Sequence, residues 1–184
     1  MALARQDIAR AGLRLLNEVG LHGLTLRLIA DDLGVKAPAL YWHLKNKQQL
    51  LDEMATQMYR DAELPESDGD WADLLAARAW ELRRMMLSYR DGAKVYSGSY
   101  FTDEGSPADD TRRPLTEAGF DERTAFRATF TLYSFVIGFT TEEQAVNPAP
   151  GQRAESYPEL FDDTEAHFAE GVKMLLLGIR AWLK

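Results

Sequence analysis

The stretch Lys36-Ala37-Pro38-Ala39-Leu40-Tyr41-Trp42-His43-Leu44-Lys45-Asn46-Lys47 sets small side chains beside aromatics and lysines. That mixture suits nucleic-acid recognition. Lysines and helix N-termini hold phosphates, and small side chains reach base edges. Catalytic chemistry finds less to work with. The chain has no cysteine, which excludes disulfides, zinc–thiolate sites and a cysteine nucleophile. Its three histidines, His22, His43 and His167, are scattered, and His22 belongs to a turn. Glu63 and the pair Glu142-Glu143 are carboxylates. No nucleophile–base set, metal-ligand spacing or glycine-rich phosphate loop accompanies them. Neither a metal site nor a cofactor is expected.

Two short helices and a tight turn must position the basic stretch. Thr25 is a fitting N-cap for the first. Ile29 and Leu33 form an i, i+4 apolar pair on one face. Gly34 follows where the helix needs a left-handed stop. Pro38 sits where the opening turn of a second helix tolerates it. Val35 and Leu40 lock the two helices at an angle, which leaves Lys36, Ala37, Ala39, Tyr41 and His43 outside. The pattern fits a helix-turn-helix whose second helix enters the major groove. A plain helical hairpin would show the same apolar spacing. It would have little use for the surface from Tyr41 to Lys47.

The remaining elements also read as helices. Residues 5–19 carry Ile8, Ala11, Gly12, Leu15, Leu16 and Val19 at helical spacing, and Gly20 is the expected stop. Asn46, with Gln49 three residues on, opens a connecting helix in a capping-box arrangement. Its apolar face is Leu50, Leu51, Met54, Ala55 and Met58. The polar, Pro- and Gly-broken run 64–70 marks a boundary. Helices are then predicted from Asp70 to about 89, over 93–100, from 106 to Gly119, from Asp121 to about 144 and over 164–183. A mobile loop over 147–158 and a short helical turn near Leu160 separate the last two. No segment alternates like a strand. The fold class is all-α: a head over residues 1–63, including the connecting helix, and a larger helical domain over 64–184.

Net charge is −8 for 184 residues, yet it is unevenly spread. Residues 1–60 hold eight Lys/Arg against six Asp/Glu; the remainder holds thirteen against twenty-three. The head can approach phosphates while the acidic part limits binding to random DNA. No apolar run is long enough to span a bilayer, and the N-terminus lacks a secretory pattern. A cytoplasmic protein is the expectation.

The runs Leu15-Leu16-Asn17-Glu18-Val19-Gly20, Gly23-Leu24-Thr25 and Leu40 through Lys47, with Leu50-Leu51-Asp52, resemble the tetracycline repressor family of bacterial transcription regulators. Leu87-Ser88-Tyr89-Arg90-Asp91-Gly92-Ala93-Lys94-Val95 resembles the family's tetracycline branch, and Gly119-Phe120 and the final helix extend the likeness. The resemblance implies a homodimer whose heads read a palindromic operator about one DNA turn apart. It implies that Arg27 reaches a base edge, and that Ala37, Pro38 and Ala39 meet bases. Thr25, Tyr41, Trp42, His43 and Lys47 would hold the backbone, beside Lys36. The tetracycline branch has a glutamine where Ala37 stands. Ala37 offers no bidentate contact to adenine, so a different operator is expected.

The resemblance further implies an effector pocket in the acidic domain. Its implied lining is Glu63, Arg78, Leu82, Tyr96, Tyr100, Phe101, Phe126, Phe130 and Tyr133. The tetracycline branch uses a histidine for drug-bound magnesium where this chain has Tyr96, and an arginine-proline pair where it has Tyr100-Phe101. Glu63 and Arg78 replace a histidine and an asparagine, while Glu142 keeps a carboxylate. Loss of the imidazole removes the metal anchor, so no magnesium–tetracycline response is expected. The aromatics suit an apolar, aromatic or polycyclic effector; each taken singly also suits a core. The long helix from Asp121 and the final helix would form a four-helix dimer interface, with Gly171 and Gly178 permitting close approach. A ligand-responsive repressor is the leading reading. A DNA-binding regulator without an effector, and a helical small-molecule enzyme, are the alternatives.

Overall fold

The computed structural model describes residues 3–66, 69–100, 107–147 and 163–182, with 107–111 given by backbone alone. The described elements are α1 (Arg5–Gly23), α2 (Leu26–Asp32), α3 (Ala37–Tyr41), α4 (Lys47–Asp61), α5 (Trp71–Leu87), α6 (Gly92–Tyr96), α7 (Pro107–Glu117), α8 (Glu122–Val146) and α9 (Thr164–Arg180). No strand occurs among the described residues, so the all-α expectation holds there. The loop expected over 147–158 lies outside them apart from Asn147, as does the turn near Leu160.

Most of these helices start where a short polar side chain takes an orphan N–H. Leu28 donates to Thr25 Oγ1 at 3.1 Å and Gln49 to Asn46 Oδ1 at 2.9 Å. Ala72 donates to Asp70 Oδ1 at 2.8 Å, Thr124 to Asp121 Oδ1 at 3.0 Å and Ala166 to Asp163 Oδ1 at 3.3 Å. The return bond of the expected capping box is displaced by one residue: Gln49 Oε1 accepts from the Lys45 N–H at 2.7 Å.

Two boundaries depart from the sequence reading. Gly20 breaks α1 with φ 69 and ψ 172, but one further turn forms and carries the element to Gly23. Only glycine takes that φ without strain. The helix expected to reach Tyr100 ends at Tyr96, because Ser97 is extended and Gly98 has φ 72.

In the head, α1 packs along α4, and α2 and α3 close its other side. Ile8, Leu16, Leu24, Ile29, Leu40, Leu44, Leu50, Met54 and Met58 are almost wholly buried there. Each such side chain contributes roughly 1.5–3 kcal/mol of burial. Arg14 pairs with Asp32 at 2.7 Å and ties α1 to the end of α2.

The larger domain packs α5 against α6, α7, α8 and α9. Arg83 on α5 makes a two-pronged bond to Glu143 on α8, at 2.8 and 2.6 Å. The guanidinium lies 5.2 Å from the Phe168 ring centre on α9 and 5.5 Å from that of Trp80. Three helices thus meet on one charge. Gly171 serves packing within the chain, since a Cβ there would fall 2.3 Å from Phe135 Cζ. Gly178 faces open space. The two glycines are two turns apart on one face of α9, which is packed at Gly171 and open at Gly178, where Met174 and Leu177 are also exposed.

Candidate nucleic-acid interface and effector pocket

The head presents α3 outward from one anchor. Leu40 is fully buried, and its carbonyl accepts from both His43 and Leu44 N–H at 2.9 Å. Gly34 (φ 65) supplies the left-handed turn, and the Val35 N–H returns to the Ala30 carbonyl at 3.0 Å. The turn holds α2 and α3 at a fixed angle. Around the anchor, Lys36 and Pro38 are exposed, and Ala37, Ala39 and His43 are half-buried. Tyr41 is 57% exposed and Trp42 88%. An indole this bare on an otherwise packed head is a surface waiting for a partner.

Arg27 is exposed, and its side chain has no hydrogen-bond or ion-pair partner among the described residues. Lys47 is also exposed, but its Nζ donates to the Leu21 carbonyl at 3.1 Å. Holding a phosphate would require it to exchange that bond. The Thr25 hydroxyl caps α2, so it can offer its own proton to a phosphate while still accepting from Leu28.

The residues assigned to an effector pocket do not form one group. Tyr96 is half-buried beside Tyr133 of α8 and Tyr59 of α4, which adds a residue sequence reasoning missed. Burial raises the Tyr96 phenol far above its ordinary range, and the two neighbouring tyrosines add to that shift. Phe126 and Phe130 stack at 5.9 Å, yet they are 47% and 63% exposed on α8. Leu82 is buried in the core. Tyr100 is exposed, with its N–H bonded to Asp52 Oδ1 at 3.0 Å. Glu63 is exposed, and Phe101 lies outside the described residues. Arg78 is buried, donates to the Pro65 carbonyl at 3.2 Å, and lines a separate cleft of about 600 Å³. Glu66, Asp70, Trp71, Arg113 and Glu117 share that cleft, whose rim is charged rather than aromatic.

These residues do not fit magnesium. A phenol kept protonated by burial is a poor substitute for an imidazole ligand. Glu142 is exposed, and its neighbour Glu143 is committed to Arg83.

The turn between α5 and α6 connects the two parts. The Arg90 N–H donates to Asn17 Oδ1 at 2.8 Å, and Arg90 Nη1 to the Glu18 carbonyl at 3.2 Å. Asp91 Oδ2 accepts from the Leu21 N–H at 3.0 Å. On the other side, Gln144 of α8 donates to the Met86 and Tyr89 carbonyls and accepts from Ala93. The α5–α6 turn is therefore held by the head and by α8 together. Sequence reasoning took Arg90-Asp91-Gly92 as a helix end and as part of the family likeness, and missed this junction.

A small three-helix head carried on a larger helical body is the build of a helix-turn-helix regulator. Residues 8–54 match the model for bacterial regulatory proteins of the tetR family, and residues 64–160 match the tetracyclin repressor-like C-terminal domain. The chain belongs to this family. It is 38% identical to the class A tetracycline repressor of transposon 1721 from Escherichia coli, over 96% of this chain and 90% of the relative. A single-site variant of TetR from Acinetobacter baumannii AYE, solved in complex with minocycline, is similar at TM-score 0.81 and 34% identity, covering 99% of both chains. BioQ with its double-stranded DNA operator is similar at TM-score 0.77 and 28% identity, over 97% of this chain and 99% of that one. No described helix is long and apolar enough to cross a membrane.

Proposed function

We propose that this protein is a ligand-responsive transcriptional repressor. It binds a palindromic operator as a homodimer and leaves it when a small apolar or aromatic effector binds the larger domain. The exposed face of α3 carries the reading: Tyr41 and Trp42 are bare while Leu40 beneath them is fully buried. Relatives support each half, since one was solved on its operator and another with minocycline. Thr25, Lys36, Tyr41, Trp42, His43 and Lys47 hold the backbone, and Arg27, Ala37, Pro38 and Ala39 meet bases. The working place is the cytoplasm, with the DNA.

Tyr96 and Tyr133 are the centre of the proposed effector site, with the Phe126–Phe130 stack at its edge. An effector there would press on α6, which reaches the head through Arg90 and Asp91. Release then follows if the ligand prefers a head spacing that the operator does not match. A footprint on the protein's own promoter tests the DNA half. Two protected half-sites about one turn apart support it; unprotected DNA at low salt rejects it. A thermal-shift panel of metabolites and antibiotics tests the effector half, and a regulator without an effector would show no shift. Turnover of a ligand by the pure protein would instead favour the enzyme reading.

A further inference from the structure

A second cleft lies away from Tyr96, at the junction of the two parts. It measures about 310 Å³ and is lined by Arg10, Leu13, Arg14 and Asn17 of α1, Asp61 of α4 and Tyr89 after α5. Its polar groups are unevenly used. Arg14 is held by Asp32 at 2.7 Å. Asp61 already accepts from Gln57 Nε2 at 2.7 Å. The Asn17 carbonyl oxygen is taken by the Arg90 N–H, which leaves its amide donors for a ligand. The Arg10 side chain has no hydrogen-bond or ion-pair partner among the described residues. The almost fully buried Leu13 and the half-buried Tyr89 ring give the cleft an apolar wall.

We propose that this cleft binds a one-ring aromatic carboxylate that also carries a hydroxyl or amine donor. Arg10 takes the carboxylate in a two-pronged, charge-assisted bond, and the Asn17 amide donates to the same group. The ring lies between Leu13 and Tyr89. The donor reaches the remaining acceptor capacity of Asp61, whose charge repels an anion lacking one. The volume is at the lower end for small-molecule sites and suits a single ring. Such a ligand would bridge α1 to the α5–α6 turn, where the head meets the larger domain. The binding claim does not depend on the proposed repressor function.

The test is calorimetric titration of the full chain with 4-hydroxybenzoate, followed by amide NMR spectra. Binding should saturate at one molecule per chain and move the amide signals of residues 10–17. Arg10→Ala should weaken it about tenfold or more, the loss expected for a charged hydrogen bond. Arg127→Ala, an exposed arginine on α8, should leave it unchanged. Phenol, which lacks the carboxylate, should bind as weakly as the Arg10→Ala pair does. Circular dichroism on Arg10→Ala confirms that the head stays folded. No saturation up to about 10 mM, where a single-ring ligand of ordinary efficiency would bind, overturns the proposal. So does equal affinity in Arg10→Ala, or shifts confined to the surroundings of Tyr96.

Discussion

Asp91 accepts the backbone N–H of Leu21 at 3.0 Å, across seventy residues of sequence. The bond fastens the α5–α6 turn to the broken end of α1, and Asp91 holds a left-handed φ of 56 to make it. Asp91→Ala removes the acceptor and puts alanine in a conformation it disfavours. We expect a loss of about 1–3 kcal/mol in urea unfolding. Effector-driven release from the operator should weaken at the same time. Unchanged stability together with full induction would remove this turn from the coupling route.

The same residue sets an acid limit. Burial pushes the Asp91 carboxyl up, but bonds from Lys94 and the Leu21 amide outweigh it and leave the group below its ordinary value of 3.8. A lowered folded value means that the ionised form is favoured by the fold. Its stabilisation is therefore complete above the ordinary value and fades as pH falls through the folded one. Between pH 7 and 5, Asp91→Asn and the parent should differ by a constant amount in melting temperature. The difference should shrink below about pH 4.

Arg27 carries the base-reading claim. Arg27→Ala should cost roughly 1–3 kcal/mol of operator binding and relax specificity at one position per half-site. Lys47→Ala should weaken all sequences alike and lower the salt slope by about one. Electrophoretic titrations at several salt concentrations separate the two behaviours. Undiminished operator affinity in Arg27→Ala would assign that side chain elsewhere.

Arg83 and Glu143 stand or fall together. Each side chain is only 9% exposed. Glu143→Ala would leave the guanidinium buried against Phe168 and Trp80 without its counter-charge, at a cost of about 3–5 kcal/mol. Replacing both by apolar residues of similar volume should recover most of that in the same urea experiment.

Tyr96 predicts indifference to the metal. Magnesium with tetracycline should give no thermal shift, because a protonated phenol replaces the imidazole anchor. A shift that disappears on adding a chelator would contradict this.

The head was legible because its signals are local. Thr25, Gly34, Pro38 and Asn46 act within four residues of themselves, and each does what its type predicts. The larger domain was legible as helices but less so as a site. Phe126, Phe130 and Tyr133 share a helical stripe, yet the stripe's outer end is exposed in a single chain. Periodicity marks a face, not what covers it. The bonds of Gln144 to the α5–α6 turn, and of Asp91 to Leu21, join residues fifty or more positions apart. Nothing in local spacing announces such partners.

The central claim is that two copies of the head grip one palindrome and let go when the larger domain takes a ligand. Sedimentation of the protein with its own promoter fragment, at low salt, measures this most directly. The account predicts one complex containing two chains per operator, dissolved by at least one compound that raises the melting temperature of the free protein. A monomer that leaves the fragment unbound, or a complex indifferent to every stabilising compound, would contradict it.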